Sequence, residues 1–368
     1  MKKKGFFIII VAVVLSVLIV KILNHSDSQH ERLLALLPLT GRLGVMGQHI
    51  KKGMELYQKQ HPDFGYDIIF EDTAGSASQA LSIYKQRVLS QKPSVVLTAL
   101  NGVTTAILPV AKEDGVFVMT ALLNAENILR GHSNVQRFTD RSSDLVSAVV
   151  KFAVDNNMSV LLFHPDDESG ISIFNSFKRL SNGQIPIYEL SYSLNSSDVR
   201  AEVTKAFESE AALIYVSGSG SAYVNSLKML LSHSSDKTIV CDSTFYDPSV
   251  LSALGTLAIG VPFAGSIVSE SNPTNPKTKS FVEDFYGAYK EKPVITAVYA
   301  YDMCAVLDML LKSKIEVSQE AFLSLHEWNG VSGHIDFLPE GECSPTFVML
   351  QLSSEGVVVR YEKAGGVK

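Results

Sequence analysis

From Arg32 to about Asp242 the chain alternates short apolar runs with helical stripes, and no other feature limits its fold as tightly. "RLLALLPL", "YDIIFED", "SVVLTA" and "VFVMTA" read as strands. Between them Ile50, Met54 and Tyr57, and then Ala77, Ala80, Leu81, Tyr84 and Val88, recur at helical spacing. Strands separated by helices with short connections imply a parallel sheet covered on both faces.

The pattern then restarts. "NVQRFTD" leads into a stripe of Leu145, Val146, Val149, Val150 and Ala153. "MSVLLFH", a helix from about Glu168, "IPIYELSY", a helix carrying Val199, Val203 and Phe207, "AALIYVSG", another helix and "KTIVCD" complete a second series. The expected fold class is α/β: two doubly wound parallel-sheet lobes with a cleft between them. Past "NPTNPK" the reading is a helix through Tyr289, a helix through Tyr301 and Leu310, and a β-hairpin over "GVSGHIDFLPEGECSPTFVMLQL".

The N-terminus is a different material. "MKKK" precedes "GFFIIIVAVVLSVLIV", an apolar run broken only by Ser16. A basic segment before such a run is an export signal. The run would span roughly 24 Å as a helix, and Ile22 and Leu23 with a snorkelling Lys21 extend it. No small-residue cleavage site follows, so an uncleaved anchor over residues 5–23 is favoured over a cleaved signal peptide, with the body exported to the periplasm or its extracytoplasmic equivalent. With 368 residues, 46% hydrophobic and 19% charged, the chain has the composition of two ordinary domains. Beyond its first residues it carries no Lys/Arg cluster, which argues against nucleic acid. Cys241, Cys304 and Cys343 lack metal spacing and allow at most one disulfide; three unpaired thiols are expected.

In open α/β sheets, ligands bind beyond the carboxyl ends of the strands, where helix N-termini offer unsatisfied N–H groups. Here those segments are "LTGRLGVMG", "TALNGVTT", "MTALLNAEN", "HPDDESG", "VSGSGSAY" and "CDSTFYD", rich in Gly, Ser, Thr and Asn. "LNGVTT", with Asn101 and Gly102, reads as a strand-to-helix cap whose donors face the cleft. A serine-nucleophile elbow needs glycines two places to each side of the serine; around Ser219 those places hold Ser217 and Ser221. His164, Asp166, Asp167 and Glu168 are better explained as acids complementing a helix dipole than as a metal cluster. Asp72, at a strand end, reads as a loop-organising carboxylate. No cofactor fingerprint is present, so none is expected.

The order of "PLTG", Gly44 and Gly47, "FEDTAGSASQA", "VVLTALNGVTTAILPVAKEDGVFVMT" and "GVSGHIDFLPEGE" resembles the type I periplasmic solute-binding proteins, specifically the leucine/isoleucine/valine-binding family. The resemblance implies three crossovers, near Phe138–Thr139, Val261–Phe263 and Val331–Gly333. It follows that residues 1–30 are leader and spacer, 31–138 plus 264–330 one lobe, and 139–263 plus 331–368 the other. It also implies ligand contacts at Asn101, at Leu122 through its backbone, and at Asn124. In the second lobe two aromatic positions of the family fall at Ser169 and Ser219. The acid that pairs with a ligand ammonium falls near Ser243, with Asp242 out of register by one. Met46 or Tyr301 would add apolar contact. The expected function is a non-enzymatic receptor that closes on a small polar solute, an amino acid or amide-like compound, and delivers it to an ABC permease. The alternative is a membrane-anchored sensor or assembly protein with the same fold.

Overall fold

The computed structural model describes residues 30–361 apart from 42, 124, 195, 197, 234–235, 267–274, 346 and 355. The expected anchor therefore lies outside the described residues, as does Asn124. No helix among the described residues is long and apolar enough to cross a membrane.

The first series forms a five-stranded parallel sheet in the order β2-β1-β3-β4-β5. Its strands are β1 (Glu31–Leu37), β2 (Tyr66–Asp72), β3 (Val95–Ala99), β4 (Phe117–Leu122) and β5 (Val135–Arg137), connected through α1 (Gly44–Gln60), α2 (Ala77–Gln91) and α3 (Asn101–Glu113). The run "LLALL" is buried at every position because both faces are covered. Leu33, Ala35 and Leu37 enter one apolar cluster, whereas Leu34 and Leu36 enter another on the opposite face. A hydrophobic strand without alternation is thus the physical mark of this sheet.

The second series builds a seven-stranded sheet, β15-β14-β10-β9-β8-β6-β7. It contains β6 (Val160–Pro165), β7 (Ile187–Tyr192), β8 (Leu213–Val216), β9 (Thr238–Cys241) and β10 (Pro262–Ser266), with α4 (Ser142–Asp155), α5 (Glu168–Ser181), α6 (Arg200–Glu208), α7 (Gly220–Ser232) and α8 (Pro248–Leu254). The same division recurs: Leu161 and Phe163 face one core, Val160 and Leu162 the other.

The tail differs from the hairpin expected. After α9 (Pro276–Tyr289), α10 (Ile295–Lys312) and α11 (Gln319–Leu325), strands β11 (Glu327–Gly330), β12 (Gly333–Leu338) and β13 (Glu342–Pro345) form a separate antiparallel meander. Then β14 (Phe347–Ser353) and β15 (Gly356–Tyr361) extend the second sheet antiparallel to β10. Where a crossover was expected, residues 331 and 332 form the tight turn between β11 and β12, and Gly333 opens β12 paired to Gly330. Ile335, Phe337 and Cys343 join the core of the first sheet, while Val348, Leu350 and Val357 join that of the second. Likewise Val261–Phe263 leads into β10, which stays in the second sheet through Ser266. The chain passes between sheets after β5, after β10 and after β13.

Helices α1 and α10 touch backbone to backbone. A Cβ on Gly53 would lie 2.2 Å from the Ala297 carbonyl oxygen, so only glycine permits that approach. The three cysteines are free and buried.

Candidate functional site

Register decides which loops lie side by side. Leu36 of β1 pairs with Thr98 of β3, which pairs with Thr120 of β4. The segments after β1 and β3, carrying Met46 and Asn101 with Gly102, and the end of β4 at Leu122 therefore share one edge of the first sheet. In the second sheet Phe163 of β6 pairs with Val216 of β8, and Val216 with Cys241 of β9. This places Ser169, Ser219, Asp242 and Ser243 along one edge as well. Two rows of polar loops result, one per sheet.

On the first row, α3 begins without a capping side chain. Within the expected strand-to-helix cap "LNGVTT", Asn101 is the first helical residue and the cap position is Leu100, at φ 79° and ψ 143°. That backbone conformation is normally reserved for glycine and costs on the order of 1–3 kcal/mol elsewhere. The Leu100 N–H donates to the Leu122 carbonyl at 2.7 Å, and its carbonyl accepts from Thr104 N at 3.0 Å. Thr98 and Thr104 hydroxyls bond each other at 2.9 Å beneath the turn. Gly102 is exposed, and an added Cβ would meet nothing within 4 Å. An uncapped first turn next to open space favours an anionic or carbonyl oxygen.

The neighbouring loop is held by Asp72. Its Oδ1 accepts from Leu39 N (2.9 Å), Thr40 N (3.2 Å) and Ala74 N (2.8 Å), and its Oδ2 from the Thr40 hydroxyl at 2.6 Å. Burial pushes this carboxyl up, but the bonds from Thr40, Ala74 and Leu39 outweigh it and hold it below its ordinary value. Asp72 organises the loop, as its place at the strand end suggested. Met46, half-buried, sits in the first turn of α1, which also lacks a capping side chain.

The second row is more self-contained. Ser219 occupies the N-cap of α7 with its side chain not capping the helix. Just before it, Gly218 has φ 144°, and a Cβ there would fall 1.9 Å from the Tyr192 hydroxyl. That hydroxyl donates to the Ser217 carbonyl at 2.7 Å. Asp242 was expected near a ligand ammonium, but both its oxygens are engaged internally. Oδ2 accepts from Gly218 N at 2.9 Å; Oδ1 accepts from the Tyr223 hydroxyl (2.9 Å) and Thr244 N (3.1 Å). Burial raises its carboxyl to about 7 against the pull of those three donors. Ser243, half-buried, opens the 3-10 turn that Asp242 caps. Ser169 lies in the first turn of α5, whose end is capped by Asp167 accepting from Gly170 N at 3.0 Å.

Tyr301 is the candidate that the structure separates from the rest. Its hydroxyl donates to Gln60 Oε1 at 2.7 Å, and its ring meets Tyr57 and Phe281 edge-on. These partners include the last turn of α1, about 16 Å along the helix from Met46 at 1.5 Å per residue. There Tyr301 lines a groove of about 510 Å³ with Tyr57, His61, Phe281 and Trp328.

His164 is bonded to the Pro165 carbonyl (2.8 Å) and Glu189 (3.2 Å). Among the described residues, Glu327, His334 and Asp336 come near enough together to hold an ion, on the exposed face of β11 and β12.

Two residues passed unnoticed in the sequence. Arg137 is fully buried; its guanidinium donates to the carbonyls of Leu123 and Ala125 and pairs with Glu342 at 2.7 Å. Glu126 reaches from the same post-β4 loop to Ser143 N and the Ser176 hydroxyl, each at 3.0 Å, and to Arg179 at 2.5 Å. Burial pushes the Glu126 carboxyl up, but Ser143, Arg179 and Ser176 pull it below its ordinary value. In the mixed run "NVQRFTD" only Val135 and Phe138 are apolar, so residue type alone did not single out Arg137.

Comparison with known proteins agrees with this architecture. The "Leu/Ile/Val-binding protein homolog 3" of Brucella melitensis is 27% identical over 192 residues, 49% of this chain and 52% of that protein. The match thus spans about half the length of that relative. A leucine-binding protein, LivK, from Thermotoga maritima superposes with a TM-score of 0.77 at 17% identity, covering 90% of this chain and 98% of the other. A solute-binding protein of an ABC transporter from Rhodopseudomonas palustris, solved with 3,4-dihydroxybenzoic acid, gives 0.80 at 17% identity over 92% and 98%. LivJ from Streptococcus pneumoniae, solved with isoleucine, gives 0.77 at 19% over 89% and 98%. At these identities the solved structures speak for the fold. The family model for periplasmic binding proteins matches residues 32–341, and the chain belongs to that family.

Proposed function

We propose that the chain is an extracytoplasmic solute-binding receptor that works with an ABC permease and performs no chemistry of its own. The observation that carries this reading is the uncapped N-terminus of α3 behind the strained Leu100, beside open space at Gly102. An anion there would meet N–H groups and the positive end of the helix dipole. Among solved relatives of the fold, isoleucine, benzoate and 3,4-dihydroxybenzoic acid share one group, a carboxylate. We take a small carboxylate-bearing or amide-like solute as the ligand, held first by the α3 row.

The lobes in this reading are the two sheets with their helices, and the two rows of loops face a common gap. Contacts from Ser169, Ser219 and Ser243 would then favour a closed state, because only that state engages both rows. Delivery to a permease that reads the closed form belongs to this reading, and membership of the family supports it. The apolar N-terminal segment fits export and anchoring over residues 5–23.

A second reading, a membrane-anchored sensor with protein partners, is favoured by one observation: Asp242 is consumed internally and offers nothing to an ammonium. Thermal denaturation of the full chain with branched-chain amino acids, benzoate and 4-hydroxybenzoate separates the two. Binding at a hundredfold excess over Kd stabilises the native state by about 2.7 kcal/mol. A rise in Tm with one of these solutes supports the receptor. A flat response to all of them, with a protein partner co-purifying, supports the sensor.

A further inference from the structure

The loop after β4 is gripped from two directions. On one side the buried Arg137 of β5 donates to the carbonyls of Leu123 and Ala125, and its charge is balanced by Glu342 of β13. On the other side Glu126 gives both carboxylate oxygens to the helices of the second sheet. Its Oε1 accepts from Ser143 N in α4 and from the Ser176 hydroxyl in α5, and its Oε2 accepts from Arg179 of α5. Both elements holding the loop toward the first sheet, β5 and β13, are followed by passages into the second. A rotation of α4 and α5 relative to β4 must therefore either drag this loop or break the Glu126 contacts.

We propose that Arg137 is a positioning residue for the binding row of the first sheet, and that Glu126 couples that row to α4 and α5. Arg137 sets the loop by fixing two carbonyls rather than by touching solute. A lysine cannot replace it, because a single ammonium does not reproduce the planar fork that reaches two carbonyls and a carboxylate together. Glu126 makes the loop a transmission element: occupancy of the row and the relation between the sheets become linked. The consequence for binding rests on the receptor reading; the mechanical claim does not.

Hydrogen exchange on the full chain, unliganded, tests the mechanical claim with Arg137→Lys and Glu126→Gln. Arg137→Lys should speed exchange across residues 121–127 at least tenfold and leave β1 and β3 unchanged. Glu126→Gln should speed exchange at the start of α4 several-fold. Unaltered exchange in 121–127, or a uniform rise throughout the first sheet, overturns the positioning role. Should Arg137→Lys fail to fold, Glu126→Gln decides alone, and unchanged exchange in α4 then overturns the coupling. L-Isoleucine and 4-hydroxybenzoate serve as probes for the binding arm: whichever binds the wild type should bind Arg137→Lys at least tenfold more weakly, and equal affinity contradicts the proposal. If neither binds the wild type, the receptor reading loses those solutes while exchange still judges the loop.

Discussion

Helices α3 and α5 both start after a central strand, yet the chain finishes their N-termini in opposite ways. At α5 the Asp167 carboxylate caps the helix, with Glu168 in the first turn and Asp166 just before. At α3 the cap position is a leucine in a glycine conformation, and its side chain does not cap the helix. The first arrangement stabilises the fold by itself; the second forgoes a cap from its own N-cap side chain and adds backbone strain. Capped starts occur also at α2, α8, α9 and α11. Open starts occur at α1, α3 and α7, after central strands, and at α6 and α10, after an edge strand and a helix respectively. An open helix end is informative where register places it beside other open ends.

The largest effect should come from the self-contained row. Gly218→Ala puts a methyl group into the Tyr192 hydroxyl at a φ of 144°, and should cost about 2–4 kcal/mol in urea denaturation. A loss under about 0.5 kcal/mol would mean that the second row adapts as freely as the first.

The buried Asp242 makes a pH prediction of the next size. Its folded carboxyl lies at about 7, above the ordinary value, so the folded state holds the proton more tightly than the unfolded one. Its contribution is therefore complete below about pH 4 and fades as pH rises through 7. Stability attributable to this group should fall across that window, and Asp242→Asn should flatten the slope. Denaturation midpoints at pH 4, 5, 6 and 7 measure it; an unchanged slope in the variant removes the assignment.

Gly102→Asp sharpens the contrast directly. It converts the α3 end into the acidic type seen at α5, with open space for the new side chain. The helix should gain about 0.3–1 kcal/mol from its dipole, while affinity for a carboxylate solute drops at least tenfold, about 1.4 kcal/mol. Stability and binding moving together would contradict the comparison.

Tyr301→Phe should do least. It removes one hydrogen bond to Gln60, costing about 0.5–1.5 kcal/mol. It should leave solute affinity unchanged, because Tyr301 lies with the last turn of α1.

Much of the fold was legible because burial on both faces of a parallel strand writes itself as uninterrupted apolar residues, as in "LLALL" and "SVVL". The tail was harder. Glu327–Gly330 carries two polar residues in four and joins the meander only through pairing with β12. At the site, residue types identified the loops but not their internal bonding. "LNGVTT" reads as a cap from its residue types; that Leu100 takes the cap position depends on a backbone angle leucine rarely adopts. Asp242 resembled a ligand partner because a carboxylate's chemistry is visible and its three internal donors are not. Arg137 stands in a strand of mixed residues, Val-Gln-Arg, where residue type does not mark it, and the carbonyls it holds are set by the fold.

The most direct measurement is the amide shift of Gly102 during titration of the isotopically labelled full chain with a carboxylate solute that raises its Tm. The account predicts that Gly102 and its neighbours at the start of α3 move most. Shifts confined to the groove around Tyr301 and Trp328, with Gly102 unmoved, would contradict it.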